Sequence, residues 1–322
     1  MNKKERGETW LVVVNPNAGS KKGKKDWDII SALLLKHNIS YSQRFTEGKR
    51  HAIEITREVI REGYRRLIVV GGDGTMNEVI NGVFTQDDCR TTDVTIAMIT
   101  VGTGNDWGKM FGVPMEYEDA IKLITANRIC LQDSGVVTYY NGTELEKRHF
   151  LNIAGLGFDA LVVRRTNRAK DRGRSSKAIY YWTLLRSLFS YGHTSTEVII
   201  DGNRVSNDTF SISLGIGRYS GGGMMQTPNA VVNDGLFDIT IIKKMRKGEI
   251  IRSLKKLYDG TILDHPKIEG YIGKSVRIDS DPVIHVEADG ESLGHSPIEF
   301  TIIPDSVNVI CRSPVCSDKN SE

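Results

Sequence analysis

The sequence has few cysteines, and their spacing excludes the common cysteine motifs. The four cysteines are Cys89, Cys130, Cys311 and Cys316. No two of them have the Cys-x-x-Cys spacing of a zinc site or a redox pair, which disfavours both kinds of site. So few cysteines in a chain of 322 residues are typical of a protein from a reducing compartment.

Long apolar runs and a strong excess of one charge are also absent. No stretch approaches the roughly 18 apolar residues of a membrane span, and the apolar run Trp10–Val14 near the N-terminus is too short for a signal peptide. The formal net charge is +3, from 43 basic and 40 acidic residues. We therefore predict a cytoplasmic protein without a nucleic-acid partner, and peripheral contact with the inner face of a membrane stays open.

The first 130 residues alternate between two periodicities, and with the length of the chain this indicates two domains. Strands are predicted at Trp10–Val14, Tyr41–Phe45, Leu67–Val70 and Val94–Ile99, with helices at 24–37, 50–62 and 76–84 between them. This alternation predicts an α/β domain over residues 1–130, in which a parallel sheet is covered by helices on both faces.

After about residue 130, short apolar runs are separated by turn signals such as Asn141-Gly142 and Asp201-Gly202. The predicted strands are Ser134–Tyr140, Phe150–Ala154, Thr196–Ile200, Thr209–Ile216, Leu236–Ile242, Ser275–Ile278, Val283–Ala288 and Ile298–Ile303. They predict a mostly antiparallel second domain over residues 131–303, with helices near 175–190 and 246–260. The C-terminal segment 304–322 is a candidate to return to the first domain.

The strongest local signal is the run Gly71-Gly72-Asp73-Gly74-Thr75, which follows a strand and opens a helix. Glycines let a backbone approach a ligand, and the N-terminus of a helix attracts anions, so the run predicts a phosphate loop. Asp73 would repel a bare phosphate, and its presence indicates a nearby Mg²⁺ ion or substrate hydroxyl. The alternative is an ordinary glycine turn capped by Asp73 and Thr75.

Two more polar loops follow neighbouring strands, at Asn15–Lys24 and Gly102–Asp106. Ligands of parallel sheets bind outside the carboxyl ends of the strands, so the three loops together predict a nucleotide cleft. None of them matches a Walker loop or G-x-G-x-x-G. The lysines of the first loop either contact phosphates or simply solvate its surface.

These strings occur in order with others farther along the chain, and together they resemble one family. The matching strings are Val14–Gly19, Gly71–Thr75 with Asn77-Glu78, Gly102–Asp106, Gly221–Met224, Pro228–Ala230, Asp234–Asp238 and Asp289–Glu291. Over residues 10–305 the sequence resembles the diacylglycerol kinase catalytic domain family, which includes bacterial lipid kinases and sphingosine kinases.

The resemblance implies a three-layer nucleotide-binding domain of the phosphofructokinase and NAD kinase type, followed by a β-sandwich domain, with the active site between them. ATP and Mg²⁺ are the implied cofactors. The implied nucleotide-binding residues are Asn15, Ala18, Gly19, Thr46, Gly71, Gly72, Asp73, Gly74, Thr75, Asn77, Glu78 and Thr103.

The resemblance also implies a structural or regulatory Mg²⁺ site in the second domain, at Val231, Asp234 and Leu236. Val231 and Leu236 would contribute backbone carbonyls, a ligand type that Mg²⁺ accepts. The run Asn233-Asp234-Gly235 is equally typical of a hairpin turn, and the two interpretations are compatible.

For catalysis, the resemblance assigns Glu291 as the group that accepts the hydroxyl proton, with Asp289 and Asp73 organising Mg²⁺ and water. Asp73 is the alternative base, as in sphingosine kinases. If residues 287–291 are extended, alternation places positions 287, 289 and 291 on one face.

The acceptor is less determined than the nucleotide. The aromatic-rich segment Lys177–Gly192 is interpreted as a core helix, with an acyl pocket or a membrane contact as alternatives. The sequence thus predicts an ATP- and Mg²⁺-dependent lipid kinase acting on a diacylglycerol-like or sphingoid hydroxyl. The alternatives are a soluble-metabolite kinase of the NAD kinase type and a non-catalytic nucleotide-binding regulator. A homodimer stays open.

Overall fold

A computed structural model describes residues 3–102, 104–171 and 177–312. The chain divides into two compact units. The first contains the residues up to Ser134, a short excursion Val232–Asp234 and the described residues from Pro304 onward; the second contains Gly135–Val231 and Gly235–Ile303.

Ten helices and sixteen strands lie in the described part of the chain. The helices are α1 (Lys3–Glu8), α2 (Ala18–Lys25), α3 (Trp27–Lys36), α4 (His51–Glu62), α5 (Asp73–Phe84), α6 (Asp106–Met110), α7 (Tyr117–Ala126), α8 (Phe158–Asp171), α9 (Lys177–Ser190) and α10 (Lys247–Asp259). The strands are β1 (Trp10–Val14), β2 (Tyr41–Phe45), β3 (Arg66–Gly71), β4 (Thr95–Thr100), β5 (Ile129–Asn141), β6 (Glu144–Phe150), β7 (Ile153–Gly157), β8 (Thr194–Ile200), β9 (Asn203–Gly215), β10 (Tyr219–Ser220), β11 (Met224–Met225), β12 (Phe237–Lys243), β13 (Ile268–Gly273), β14 (Ser275–Asp281), β15 (His285–Ala288) and β16 (Glu291–Ile310).

The first unit is built on a parallel sheet in the order β2-β1-β3-β4, with the end of β16 beside β4. Strands β1 and β3 are buried almost throughout because helices cover both faces, with α3 against α7 and α4 against α5. The predicted α/β class is confirmed. The chain goes from β1 to β2 on one side and then returns to β3 on the other. This reversal is where α/β sheets bind ligands.

A disulfide joins Cys130 to Cys311 within the first unit. The sequence analysis disfavoured only a zinc site and a Cys-x-x-Cys redox pair, and it did not predict this disulfide. The two residues are 181 positions apart, yet the backbone N–H of Cys311 donates to the carbonyl of Arg128. Sequence spacing gave no indication of the pairing because it arises from the tertiary arrangement of β5 and β16.

The second unit is antiparallel. Its pairings run from β9 through β7, β15, β16, β14 and β8 and back to β9, so that β9 and β16 each pair in both halves of a sandwich-like fold. Strands β12 and β13 extend the sheet beyond β9. In the core, Phe150 stacks on Phe237 and contacts Phe300 edge to face. This confirms the β-rich second part of the fold prediction.

The structure adds elements that periodicity did not predict. Helix α8 lies between strands of the second unit. It contains so many polar and basic residues that its apolar residues show no clear helical period. The run predicted as one strand, Phe150–Ala154, is two strands separated by a bend at Leu151 and Asn152. That bend has a role in the candidate site.

Candidate active site

Three loops of the first unit meet at the carboxyl edge of the parallel sheet. The loop after β1 contacts the loop after β3 through Asn15, whose side-chain N–H donates to the Thr75 hydroxyl at 2.9 Å. The Asn15 side-chain oxygen accepts the N–H of Asn17 at 3.0 Å, which fixes the orientation of the amide. This contact lies between β1 and β3, at the point where the strand order reverses.

The third loop, after β4, approaches both of the others through glycines. A Cβ at Gly19 would lie 1.7 Å from the carbonyl oxygen of Val101, and the φ of Gly19 is +59°. A Cβ at Gly102 would lie 2.9 Å from the Cα of Gly72. Only glycine fits at such distances, so the glycines predicted to line a phosphate site are also what allows the three loops to close together.

Asp73 has a structural partner in the third loop. Its carboxylate accepts the backbone N–H groups of Asp106 and Trp107, both at 3.1 Å, and so caps the start of α6. Burial raises the pKa of Asp73 above its ordinary value, although the backbone N–H groups of Trp107 and Asp106 oppose that shift. The carboxylate that the sequence assigns to Mg²⁺ thus also holds two of the loops together.

Asn105 contributes an atom that the sequence analysis did not single out. Its side-chain N–H group donates to the Gly102 carbonyl at 2.9 Å, while its Oδ1 is buried and has no hydrogen-bond partner among the described residues. That oxygen lies near Gly72 and Gly102. A buried acceptor without a donor costs free energy unless a ligand or water completes it, so this atom fits a bound molecule between the loops.

The other residues predicted to bind the nucleotide divide into two groups, one at the edge formed by the loops and one in contact with helices. The backbone N–H of Ala18 donates to the Asn15 carbonyl, and the buried Thr46 donates its N–H to Val14, so both belong to the loop edge. Asn77 is buried and accepts a hydrogen bond from Asn81. The carboxylate of Glu78 accepts the N–H groups of Arg50 and Ala52 at the start of α4.

Asn77 and Glu78 thus make contacts within and between helices, and the phosphate contacts that the resemblance implies for them stay a prediction. Gly74 lies in the first turn of α5. Thr103 lies outside the described residues. The lysines of the first loop (Lys21, Lys22, Lys24 and Lys25) are all exposed.

In the second unit, the Asp289-Gly290 pair forms a tight turn between β15 and β16. Both residues have positive φ, +49° and +80°, and Ala288 pairs directly with Glu291. Since the segment turns, positions 287, 289 and 291 do not share one face, and the expectation based on an extended segment is wrong. Pairing places Glu287 and Glu291 on opposite faces of the hairpin.

The Asp289 carboxylate accepts the backbone N–H groups of Leu151, Asn152 and Ile153, at 2.9, 3.0 and 3.3 Å. These hydrogen bonds explain the bend between β6 and β7. They also show that Asp289 anchors the turn, as Asp73 anchors its own loop. Asn167 of α8 donates to the Gly290 carbonyl at 2.9 Å, which holds the turn from another side.

Two acids near this turn, the buried Glu287 and the half-buried Asp159, were missed by sequence reasoning. Glu287 accepts the N–H of Gly290 at 2.9 Å, and its pKa is raised well above its ordinary value by burial and then by Asp159, Asp289 and Glu291. Burial also raises the pKa of Asp159 to about 6, against hydrogen bonds from Ser211, Ser213 and Gln226. Nothing in the local sequence marks these acids as buried. Four acidic residues therefore lie close together at this turn: Asp159, Glu287, Asp289 and Glu291.

The predicted metal positions lie in the turn before β12. Asp234 is exposed, Val231 and Leu236 are half-buried, and Gly235 has a φ of +76°. The run is a turn but not a hairpin, since β12 pairs with β9 and β13. Within the described ranges, no three His, Cys, Asp or Glu side chains are grouped to hold a metal ion. A site with one carboxylate and two carbonyls would not form such a group.

A parallel sheet with glycine loops at its strand-order reversal has the arrangement of a nucleotide-binding domain, and here an antiparallel sandwich follows it. Two family models match the chain: the diacylglycerol kinase catalytic domain over residues 9–137, and the YegS C-terminal NAD kinase beta sandwich-like domain over residues 152–311. These matches confirm the resemblance to the diacylglycerol kinase catalytic domain family that the sequence motifs indicate.

Individual relatives agree with this resemblance. The chain is 26% identical over 311 residues to a diacylglycerol kinase of Staphylococcus carnosus, covering 97% of this chain and 96% of that protein. It is 27% identical over 280 residues to a diacylglycerol kinase of Mycobacterium tuberculosis, covering 86% of each. The predicted kinase class is confirmed by these relatives.

Solved structures show the same fold. A crystal structure of a diacylglycerol kinase from Bacillus anthracis aligns with a TM-score of 0.71 at 23% identity, covering 96% of this chain and 98% of that one. Yeast NADH kinase aligns with a TM-score of 0.55 at 12% identity, covering 95% and 84%. At these identities the likeness concerns the fold alone.

Proposed function

We propose that this protein is an ATP- and Mg²⁺-dependent lipid kinase that transfers the γ-phosphoryl group of ATP to a lipid hydroxyl, of the diacylglycerol or sphingoid class. The observation that carries the proposal is the closure of three glycine loops around the unpartnered oxygen of Asn105, in a chain that resembles this family. The diacylglycerol acceptor is supported by the names of the relatives.

The first unit supplies the ATP site. The phosphates would lie at the start of α5, where the glycines of residues 71–74 allow close approach and the helix N-terminus attracts negative charge. Asn15 and Thr75 would orient the nucleotide from the strand-order reversal, and Oδ1 of Asn105 would accept one of its N–H or O–H groups, or those of a bound water.

Glu291 of the second unit would accept the proton. In the transfer, the lipid hydroxyl oxygen forms a bond to the γ-phosphorus, the bond between that phosphorus and the bridging oxygen breaks, and ADP leaves with the electron pair. The hydroxyl proton passes to the Glu291 carboxylate. Asp289 positions Glu291 through its three backbone hydrogen bonds.

Mg²⁺ would supply charge neutralisation on the phosphates. A separate, structural or regulatory Mg²⁺ would be held by the Asp234 carboxylate with the carbonyls of Val231 and Leu236, oxygen donors of the kind that Mg²⁺ prefers. Asp73 would act mainly as the cap of α6 and only secondarily on water or metal, because two backbone N–H groups already occupy its carboxylate.

The test is transfer of label from γ-³²P-ATP in the presence of Mg²⁺, with a panel of lipids in mixed micelles and with NAD as a competing acceptor. The proposal expects label in the organic phase on one lipid class, and loss of that label when Mg²⁺ is chelated. Label on NAD instead would favour the soluble-metabolite kinase. ATP binding without transfer to any acceptor would favour a nucleotide-binding regulator.

A further inference from the structure

The turn that precedes Glu291 is open around Gly290. A Cβ added at Gly290 would meet no atom within 4 Å, and the φ of this residue is +80°. Glycine changes conformation at little cost, so packing does not fix the direction in which the chain leaves the turn and enters β16. Hydrogen bonds to the turn are then what sets that direction.

Both polar groups of the Gly290 backbone have a side-chain partner. Glu287 accepts the N–H of Gly290 at 2.9 Å, and the side-chain N–H of Asn167 donates to the Gly290 carbonyl at 2.9 Å. That carbonyl belongs to the peptide group that joins Gly290 to Glu291. Because a peptide group is planar, a hydrogen bond to its oxygen fixes the orientation of the whole group from which the Glu291 side chain starts.

Asn167 reaches the turn from a helix that is itself anchored. Near the start of α8, the carboxylate of Asp159 accepts hydrogen bonds from Ser213 at 3.1 Å and from Gln226 at 3.0 Å. Val162 of the same helix is buried in an apolar cluster. A side chain on a helix that is held in this way is placed more precisely than one on a loop, so α8 presents the Asn167 amide to the turn in a defined position.

We propose that Asn167 is a positioning residue of the phosphoryl transfer, which holds the peptide group between Gly290 and Glu291 so that the Glu291 carboxylate faces the acceptor hydroxyl. The inference deepens the proposed function and rests on it, because Asn167 acts only through the base. Misplacing a reacting group by about 1 Å costs on the order of 10²-fold in rate. A loose turn would therefore lower turnover even with the carboxylate present.

The first test removes the donor and keeps the size of the side chain. In Asn167→Leu, we expect kcat on the lipid that the wild type phosphorylates to fall about 10- to 100-fold. KM for ATP and for the lipid should stay within about twofold, because Asn167 contacts neither in this role. The control is Asn203→Leu, the same change at an exposed position at the start of β9, which should turn over like the wild type.

The second test separates positioning from a general weakening of the fold. If Asn167 acts through Glu291, its substitution has nothing left to misplace once the base is gone. Adding Asn167→Leu to Glu291→Gln should therefore lower kcat by less than about twofold beyond Glu291→Gln alone. A substitution that only weakened the fold would lower kcat by the same factor in both backgrounds.

Hydrogen exchange measures the same contact without turnover. In Asn167→Leu, the backbone N–H groups of residues 289–292 should exchange at least about fivefold faster than in the wild type, since the turn opens more often. Exchange in the parallel sheet of the first unit should stay unchanged. This measurement needs no substrate, so it judges the contact whatever the acceptor is.

Three results would overturn the inference: an Asn167→Leu enzyme with the kcat of the wild type, equal losses of kcat in both backgrounds, or unchanged exchange at the turn. A Glu291→Gln enzyme with nearly normal kcat would contradict the proposed base, and this inference with it. Faster exchange at the turn in Asn167→Leu, together with no transfer from the wild type to any lipid, would contradict the proposed acceptor and support the hold of Asn167 on the turn.

Discussion

At the scale of single residues, several side chains of the candidate site hold the backbone as well as any ligand. Asp73 caps α6, Asp289 fixes the bend at residues 151–153, and Glu78 holds the start of α4. Replacing Asp73 by alanine is therefore expected to loosen a loop in addition to removing a carboxylate. A loss of activity in that variant would not by itself identify the base.

Gly19 offers a cleaner test of the loop geometry. Because a Cβ there would lie 1.7 Å from the Val101 carbonyl oxygen, Gly19→Ala should force the first and third loops apart. We expect ATP affinity to fall at least about tenfold by calorimetry, from misplaced phosphate contacts. The control is Gly7→Ala, where the nearest atom to the added Cβ is 3.9 Å away. Unchanged affinity in Gly19→Ala would show that ATP does not use these loops.

Asp159 predicts a pH dependence of stability. Its folded pKa of about 6 lies above the unfolded value of about 3.9, so the folded state binds more protons between these values. The contribution of Asp159 to the free energy of unfolding is fully present at low pH and is lost as the pH rises through 6. It amounts to on the order of 3 kcal/mol at most. Glu287, whose pKa is also raised, and Tyr191 interact with this carboxyl.

Asp159→Asn should therefore be more stable than the wild type at pH 8, and the difference should shrink towards pH 5. Thermal unfolding of both proteins across this range measures it. His149, whose pKa burial lowers to about 4, has the opposite pH dependence but is common to both proteins, so it cancels in the difference. A stability difference that is the same at every pH would contradict the account.

At the scale of elements, the sequence predicted features that depend on neighbouring residues and missed contacts between residues far apart in the chain. The strand β1, the loop at residues 71–75 and the turn Asp201-Gly202 follow from short strings, because apolar runs, glycines and Asp-Gly pairs act on their own neighbours. Helix α8 was missed because its polar residues hide its period. Burial of Asp159 and Glu287 is set by residues far along the chain, so no string marks it.

The disulfide is the clearest case of such a distant contact, and it links the start of β5 to the end of β16. Closing a loop of 181 residues restricts the unfolded chain strongly. We expect reductant to lower the melting temperature of the first unit by on the order of 5–10 °C. Cys130→Ser should melt at that lower temperature with or without reductant.

The matched control is Cys89→Ser, which removes a free, half-buried thiol and should keep the response to reductant. If the purified wild-type protein titrates with free thiols at both Cys130 and Cys311, the pairing does not form under those conditions. Since disulfides are rare in reducing compartments, thiol titration of protein prepared without reductant also tests the predicted location.

At the scale of the whole molecule, the two units contribute different parts of the proposed reaction. The first unit carries the proposed nucleotide site, formed by the glycine loops and by the Asn105 oxygen that has no partner among the described residues. The second carries the proposed base, Glu291, directly after the turn at residues 289–290. Among the described residues, no helix is both long and apolar enough to cross a bilayer.

The most direct test of the central claim is the turnover of Glu291→Gln on the lipid that the wild type phosphorylates, measured as label in the organic phase, beside its ATP affinity. Glutamine keeps the size of the side chain but cannot accept the proton. The account predicts a fall in kcat of about 10²-fold or more with ATP affinity and melting temperature unchanged. A Glu291→Gln enzyme with nearly normal kcat would contradict the assignment of this carboxylate as the base.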